Sequence, residues 1–326
     1  WDRCLMPVGE WQHPRGAMHG LAHGEIRKKE KGTMDVYQSA PGPDTIYPDG
    51  LIVNEALKQL NILAADKSKP FFLAVGILKP HLPFGAPQKY LELYKDIELP
   101  AILHPEKPQG ISTWHPSGEF MQYNLWGKDP RTDKDFATEV RRHYAACVSY
   151  TDAQVGRIID KLEETGADKN TIIVLWGDHG WNLGEHDIWG KHNLFEEALS
   201  SPLIVYYPGI KHPGKKAAGM VESVDIFPTL CELSEVERPK FSIGTSFLPI
   251  LENPKQTGHP AVGYYYKAKT IRTPDYRLIV HDDGGIELYD EKVANKEVVN
   301  IAESNPEIVA ELKAKLDGRL KSRQLQ

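Results

Sequence analysis

Two short apolar runs, TIIVLW (171–176) and PLIVYYPG (202–209), flank a stretch that is their chemical opposite. Residues 176–196, WGDHGWNLGEHDIWGKHNLFE, carry three histidines, four carboxylates, a lysine and three tryptophans, broken up by glycine. Short runs rich in Ile, Val and Leu read as strands buried in a sheet. The stretch between them can bury little apolar surface, and many of its side chains are costly to desolvate. The fold must therefore set a sheet interior directly beside a polar loop. In open α/β sheets ligands bind beyond the carboxyl ends of the strands, so the polar stretch reads as the site that the first strand delivers.

The rest of the chain fits this frame. Residues 51–64 place Ile52, Val53, Ala56, Leu57, Leu60 and Leu63 at helical spacing, with Asp49 as N-cap. PFFLAVGI (70–77) reads as a strand buried on both faces, leading into KPHLPF. Phe136, Val140, Tyr144, Val148, Val155, Ile159 and Leu162 form an apolar stripe over 134–165, closed by Gly166. A further helix is expected over 224–233 after Asp225, whereas residues 1–48 show no sustained period and read as loop. From about residue 260, VGYYYKAKTIRT, YRLIVHD and IELYDE read as short strands with tight turns, followed by a helix with Ile308, Leu312, Leu316 and Leu320. The expected architecture is α/β: a mainly parallel sheet flanked by helices over 1–258, and a smaller antiparallel sheet plus helix over 259–326.

Composition removes several classes of function. The net charge is −6 and no basic run exceeds a few residues, so neither nucleic acid nor an anionic membrane surface is indicated as partner. No apolar run is long enough to span a bilayer. Cys4, Cys147 and Cys231 lie far apart and form neither a disulfide framework nor a zinc motif. The N-terminal WDRCLMPVGEW lacks the apolar core of a signal peptide and reads as the interior of a longer protein.

Two strand ends collect ionisable residues. Asp178 and His179 follow TIIVLW and offer a carboxylate and an imidazole to a divalent cation, or else a capped turn. Lys79 and His81 follow FFLAVGI, and the prolines on either side of His81 stiffen its backbone. An imidazole held there suits protonation of a leaving group; a satisfied loop histidine is the alternative. Lys191 could bind an anionic ester oxygen or face solvent. Glu185 and His186 could orient the loop, His192 could touch substrate, and Trp181 and Trp189 could wall a ligand or pack the loop down.

PFFLAVGILKPHLPF, YAACVSYTDAQVGRIIDKLEE and DHGWNLGEHDIWGKHNLFEEALSSPLIVYYPG resemble type I, formylglycine-dependent sulfatases, most closely the iduronate-2-sulfatase-like branch. VDIFPTL, GTSFLPIL, IRTPDYRLIV and ELYDE extend the likeness over most of residues 45–302. The resemblance implies an alkaline-phosphatase-like α/β domain, a calcium ion and hydrolysis of a sulfate ester on a saccharide. It implies Asp178 and His179 as calcium ligands, His81 near the scissile oxygen, Lys191 on the sulfate, and Trp181, with His192 and Lys79, in the substrate pocket. It also implies a periplasmic or secreted protein if bacterial, or a lysosomal one if animal.

The departure from the family is as informative. Its Cys-x-Pro-x-Arg motif, the source of the nucleophile, is absent; Cys4 is followed by LMPVG, with Pro one place late and no Arg. The chain is therefore expected to need an N-terminal part of the same protein for turnover. Two rivals stand beside the sulfatase expectation: a phosphonate or phosphate diester hydrolase of the same superfamily, and a non-catalytic protein of sulfatase descent. A zinc site on Asp178, His179 and His186 is a third, without the helix-borne spacing of zinc hydrolases.

Overall fold

In the computed structural model, which describes residues 1–28, 30–110, 114–293 and 296–324, the chain forms two compact units. One comprises residues 1–101 and 118–169; the other comprises 102–117 and 170–326.

The first unit contains α1 (Pro14–Met18), β1 (Tyr37–Ala40), α2 (Pro48–Ala65), β2 (Phe84–Pro87), α3 (Gln88–Glu92) and α4 (Lys134–Thr165). Helix α4 begins where the Asp133 carboxylate accepts the Phe136 N–H at 2.9 Å, and it ends at Gly166 with φ 69°. Its stripe buries Phe136, Val140, Cys147, Tyr150 and Leu162, while α2 buries Ile52, Val53, Ala56 and Leu60. Tyr150 Oη accepts the Gly50 N–H at 2.8 Å and donates to Asp44 O at 2.8 Å, which fixes the start of α2 against α4. A Cβ at Gly50 would lie 2.3 Å from Asp44 O, so this approach is open only to glycine.

Three local expectations change here. Asp49 is not the N-cap of α2; Tyr47 holds that position. The Asp49 carboxylate is buried and accepts the N–H groups of Leu78 (2.7 Å) and Lys79 (3.1 Å), so it caps the end of the 70–78 segment instead. Burial pushes its pKa up against these two hydrogen bonds. Residues 70–77 carry no strand ladder, and Phe72 is 70% exposed, because no strand among the described residues pairs with them. Residues 1–48 are not only loop: they supply β1, which pairs in parallel with β2, and bury Trp11, Leu21 and Val36. Apolar residues scattered singly through a Gly/Pro-rich segment leave no period to read.

The second unit contains β3 (Ile173–Trp176), β4 (Asn182–Leu183), β5 (Trp189–Gly190), α5 (Glu196–Leu199), β6 (Leu203–Tyr206), α6 (Ile226–Leu233), α7 (Leu248–Glu252), β7 (Ala261–Tyr265), β8 (Ala268–Arg272), β9 (Tyr276–His281), β10 (Ile286–Asp290) and α8 (Pro306–Gln324). Strands β7 to β10 form an antiparallel sheet in the order β10-β9-β8-β7. One face, through Ile271, Leu278 and Leu288, packs on Leu312 and Leu316 of α8. The other, through Ala268, Ile279 and Tyr289, packs on Ile188, Leu194 and Phe195. Those three anchors come from the polar stretch itself. Each fully buried side chain of this size contributes about 1.5–3 kcal/mol, which is what seats the loop on the sheet.

The α/β class with a small antiparallel sheet and terminal helix is as expected. Pairing within it differs in one respect: β3 and β6 run antiparallel, Trp176 opposite Leu203, and among the described strands only β1 and β2 pair in parallel. A two-stranded ribbon cannot cover its own faces, and Trp176 (47%) and Ile204 (60%) are correspondingly exposed. No described helix is long and apolar enough to cross a membrane.

Candidate active site

In the second unit, β3 ends at Trp176, and Asp178 and His179 follow after Gly177. Gly180 pins this turn to α5: its N–H donates to Ala198 O at 2.9 Å, and a Cβ there would meet Glu197 O at 2.0 Å. The His179 N–H donates to Asp178 Oδ1 at 3.1 Å, and His179 Nδ1 donates to Gly180 O at 2.8 Å. With Nδ1 committed as donor, Nε2 holds the ring's lone pair, and it lies 3.7 Å from Asp178 Oδ2. The Asp178 side chain is 79% exposed. An oriented imidazole beside an open carboxylate is the donor set of a divalent cation, with the carbonyl on Nδ1 in the usual supporting role. The Asp178 carboxylate is a donor of the type calcium takes, about 6–8 oxygen ligands, and the imidazole adds a nitrogen donor beside it. Both residues line a cleft of about 320 Å³ together with Glu222, Gly263, Thr270 and Arg272.

The β4–β5 hairpin sets the next pair. Trp181 precedes β4 and Lys191 follows β5, so the antiparallel ladder brings Lys191 Nζ to 5.2 Å from the Trp181 ring. The hairpin is fastened from both sides: the Trp189 N–H donates to Ser117 Oγ at 2.8 Å, and Asn193 Nδ2 donates to Asn182 Oδ1 at 2.8 Å. Trp189 is buried, which makes it a packing residue. His192 stacks on Tyr265 with ring centroids 5.8 Å apart and lies 5.9 Å from His115. The stretch expected to bury little apolar surface is instead buried at every second position from 182 to 190.

The tip of that hairpin is an ionic anchor. His186 is fully buried, with Nε2 3.6 Å from both Glu197 Oε2 and Glu297 Oε2. Burial alone would pull its pKa down, but the two carboxylates outweigh it and push the imidazole up to about 9. Arg277, also buried, contacts Glu196 and Glu297, and Arg272 contacts Glu196 at 3.2 Å and Glu291 at 3.3 Å. Burial, reinforced by Glu297, pushes Glu291 up to about 7. A second group joins Glu222, Asp225 and His259, with Asp225 Oδ2 2.8 Å from His259 Nε2. Both groups have metal-like spacing, yet Arg277 contacts Glu297 and Arg319 contacts Glu222, so these carboxylates are already paired. Asp178, His179 and His186 form no common cluster among the described residues.

The first unit holds the other two candidates. Lys79 is buried, and its ammonium donates to Pro83 O (2.6 Å) and His81 O (3.3 Å); burial holds it below the usual lysine range. It braces the His81 turn and does not face solvent. His81 Nδ1 donates to Leu82 O at 2.6 Å, which leaves Nε2 to carry or release a proton, 3.8 Å from Glu119 Oε1. The ring of His19 meets it edge-on at 5.3 Å. Cys147 is buried and its thiol is pushed up to about 12, and Cys231 is buried too, so neither is poised as a nucleophile.

Arg272, Arg277, Glu297, Ser117 and Tyr265 carry this geometry without having been singled out in the sequence. The one signal was RTPDYR, where two arginines flank a tight turn and pair directly across β8 and β9. Like charges so placed repel unless acids surround them.

Comparison with known proteins adds the family. The model of the Sulfatase family matches residues 21–236, and that of the N-sulphoglucosamine sulphohydrolase C-terminal region matches residues 184–326. A sulfatase of Formosa agariphila is 32% identical over 304 residues, covering 90% of this chain and 58% of the relative. Human iduronate 2-sulfatase is 32% identical over 237 residues, covering 60% of this chain and 42% of the relative. The chain thus spans about half the length of these relatives. A solved protein in complex with its substrate D-glucosamine-2-N,6-O-disulfate shares the fold, with TM-score 0.73, 24% identity, and 85% of this chain and 70% of that one covered.

Proposed function

Since the chain belongs to the sulfatase family, we propose that it is the part of a sulfuric ester hydrolase that completes a calcium site and grips the sulfate of a sulfated saccharide. Asp178 and His179 are the calcium ligands contributed here; calcium, when bound, supplies positive charge to the sulfate oxygens. Lys191 binds a sulfate oxygen as a point charge, and its cation–π contact with Trp181 keeps the ammonium in place. Trp181 and His192 bound the sugar. In the first unit, His81, with Nδ1 tied to a carbonyl, offers Nε2 as the proton donor for a leaving-group oxygen. Lys79 contributes by holding the His81 turn.

The observation that carries this reading is the β3–β4–β5 arrangement, which sets an oriented Asp178–His179 donor pair and a Lys191–Trp181 pair on one short, anchored segment. The formylglycine nucleophile belongs to a part of the protein outside these residues, as does the remainder of the calcium shell. The exposed apolar side chains Phe72 and, in the other unit, Ile204 support a further covering segment. The division into a catalytic portion (1–258) and a C-terminal subdomain (259–326), and a periplasmic or secreted location, are part of the same proposal.

The test uses the intact protein. Sulfate release from a sulfated saccharide should vanish after chelation and return with calcium. Recovery with zinc but not calcium would overturn the cation; faster turnover of a phosphonate monoester than of any sulfate ester would overturn the reaction class.

A further inference from the structure

The β7–β8 hairpin ends in an arrangement that folding does not require. Strand β7 is an edge strand whose last two residues, Tyr264 and Tyr265, are followed by Tyr266 and Lys267 in a two-residue loop, Tyr265 pairing with Ala268. Tyr264 is 72% exposed, Tyr265 43% and Tyr266 88%. Tyr266 takes φ 53°, at the first loop position, where glycine is favoured when φ is positive. A tyrosine there is strained. The large ring thus stands at a site where it buries little and opposes the turn, and folding gives no reason for it.

The hairpin is continuous with the candidate site of the same unit. Ala261, Gly263 and Tyr265 share one face of β7, and Ala261 and Gly263 line the cleft that contains Asp178 and His179. Beyond Gly263, whose Cβ position is closed off by Thr270 and Leu199, Tyr265 stacks on His192, the neighbour of Lys191. Lys267 Nζ lies 5.7 Å from the Tyr266 ring. The sequence of surfaces is therefore the cleft with Asp178 and His179, the stacked Tyr265–His192 wall, and the exposed Tyr266 ring with an ammonium beside it.

We infer that Tyr265, Tyr266 and Lys267 form a second saccharide subsite, which takes a sugar unit next to the one whose sulfate is hydrolysed. This rests on the sulfatase reading above and names the substrate as a sulfated chain longer than one unit. Tyrosine rings offer flat apolar faces to the C–H faces of a pyranose, and a phenol adds a hydrogen bond at low entropic cost. Lys267 meets a sulfate or carboxylate on that unit. Asp282, whose N–H donates to Lys267 O at 2.8 Å, and Asp283 stand on the neighbouring turn. They keep the tip from being strongly basic, so the rings supply most of the affinity and the site selects a saccharide over a generic polyanion.

The experiment compares Tyr265→Ala and Tyr266→Gly with the parent in the intact protein. The two measurements are kcat/KM on a sulfated monosaccharide against a sulfated tetrasaccharide, and direct binding of the tetrasaccharide by calorimetry. Each variant should lower tetrasaccharide kcat/KM relative to the monosaccharide by about tenfold, through KM, and weaken tetrasaccharide binding by about the same factor. Tyr266→Gly also relieves the positive φ, so its Tm should hold or rise while selectivity falls, a result that misfolding cannot produce. An unchanged ratio together with unchanged binding overturns the subsite. So does a change of oligomeric state in sedimentation with the ratio preserved, which would make the tip a contact between copies. If the parent releases no sulfate from either substrate, the sulfatase reading fails by itself, and the binding measurement still decides whether the rings hold a sulfated chain.

Discussion

The segment after β3 contains two groupings of acid and histidine that differ only in their surroundings. Asp178 and His179 stand open, the carboxylate 79% exposed and Nε2 of the imidazole turned to it across 3.7 Å. His186, in the same segment, is sealed between Glu197 and Glu297 with Arg277 behind. In the open pair, water or a cation can occupy the space between the donors. In the closed group, charge is matched within the protein, and removing one member strands the others in low dielectric. The same residue types thus become a candidate ligand set at one point and a structural anchor at another.

The largest effect should come from breaking the closed group. Glu297→Ala leaves Arg277 and His186 under-compensated and should cost about 3–5 kcal/mol of stability, measured by urea unfolding; a loss below about 1 kcal/mol would mean that the charges were never tightly coupled. Breaking the open pair should do the reverse. Asp178→Ala in the intact protein should cut sulfate release by about a hundredfold or more through loss of the cation, while the metal-free Tm stays within about 2 °C. Undiminished release, or a large fall in metal-free Tm, would erase the distinction between the two groups.

A smaller effect should appear with pH. The folded pKa of His186 is raised from 6.5 to about 9, so its stabilisation is complete below pH 6.5 and is lost as pH rises through 9. Glu291 is raised from 4.5 to about 7 and acts in the same direction over that lower window. Tm should therefore fall with rising pH, by about 5 °C between pH 6.5 and 9. The fall should disappear above neutrality in His186→Asn, and a Tm that rises over this window would contradict the imidazolium assignment. The finest test concerns the other unit: His81→Ala should slow alkyl sulfate esters about tenfold more than aryl sulfates, whose leaving groups need less protonation.

Much of this molecule was legible in its residues. The apolar stripe and Gly166 mark α4, and the C-terminal strands and α8 follow their alternation and spacing. The placement of Asp178 and His179 directly after a strand was equally readable. What escaped was everything that depends on partners distant in the chain. The apolar run 70–77 has strand composition but no ladder, because strandness requires a neighbour that a local pattern does not supply. Asp49 looked like a cap and became a clamp on Leu78 and Lys79, since any short acidic side chain serves either use and only the approach of another backbone decides.

By itself the sequence determined which segments could be helix or strand and which stretch had too much ionisable chemistry to be mere core, because periodicity and desolvation cost are local properties. The tertiary structure decided which of those ionisable groups are open and which are spent. That division depends on the seating of Ile188, Leu194 and Phe195 against Ala268, Ile279 and Tyr289, and on the consequent meeting of His186 with Glu297 from beyond β10. Charge compensation acts through space, and no spacing along a chain encodes which carboxylate will arrive.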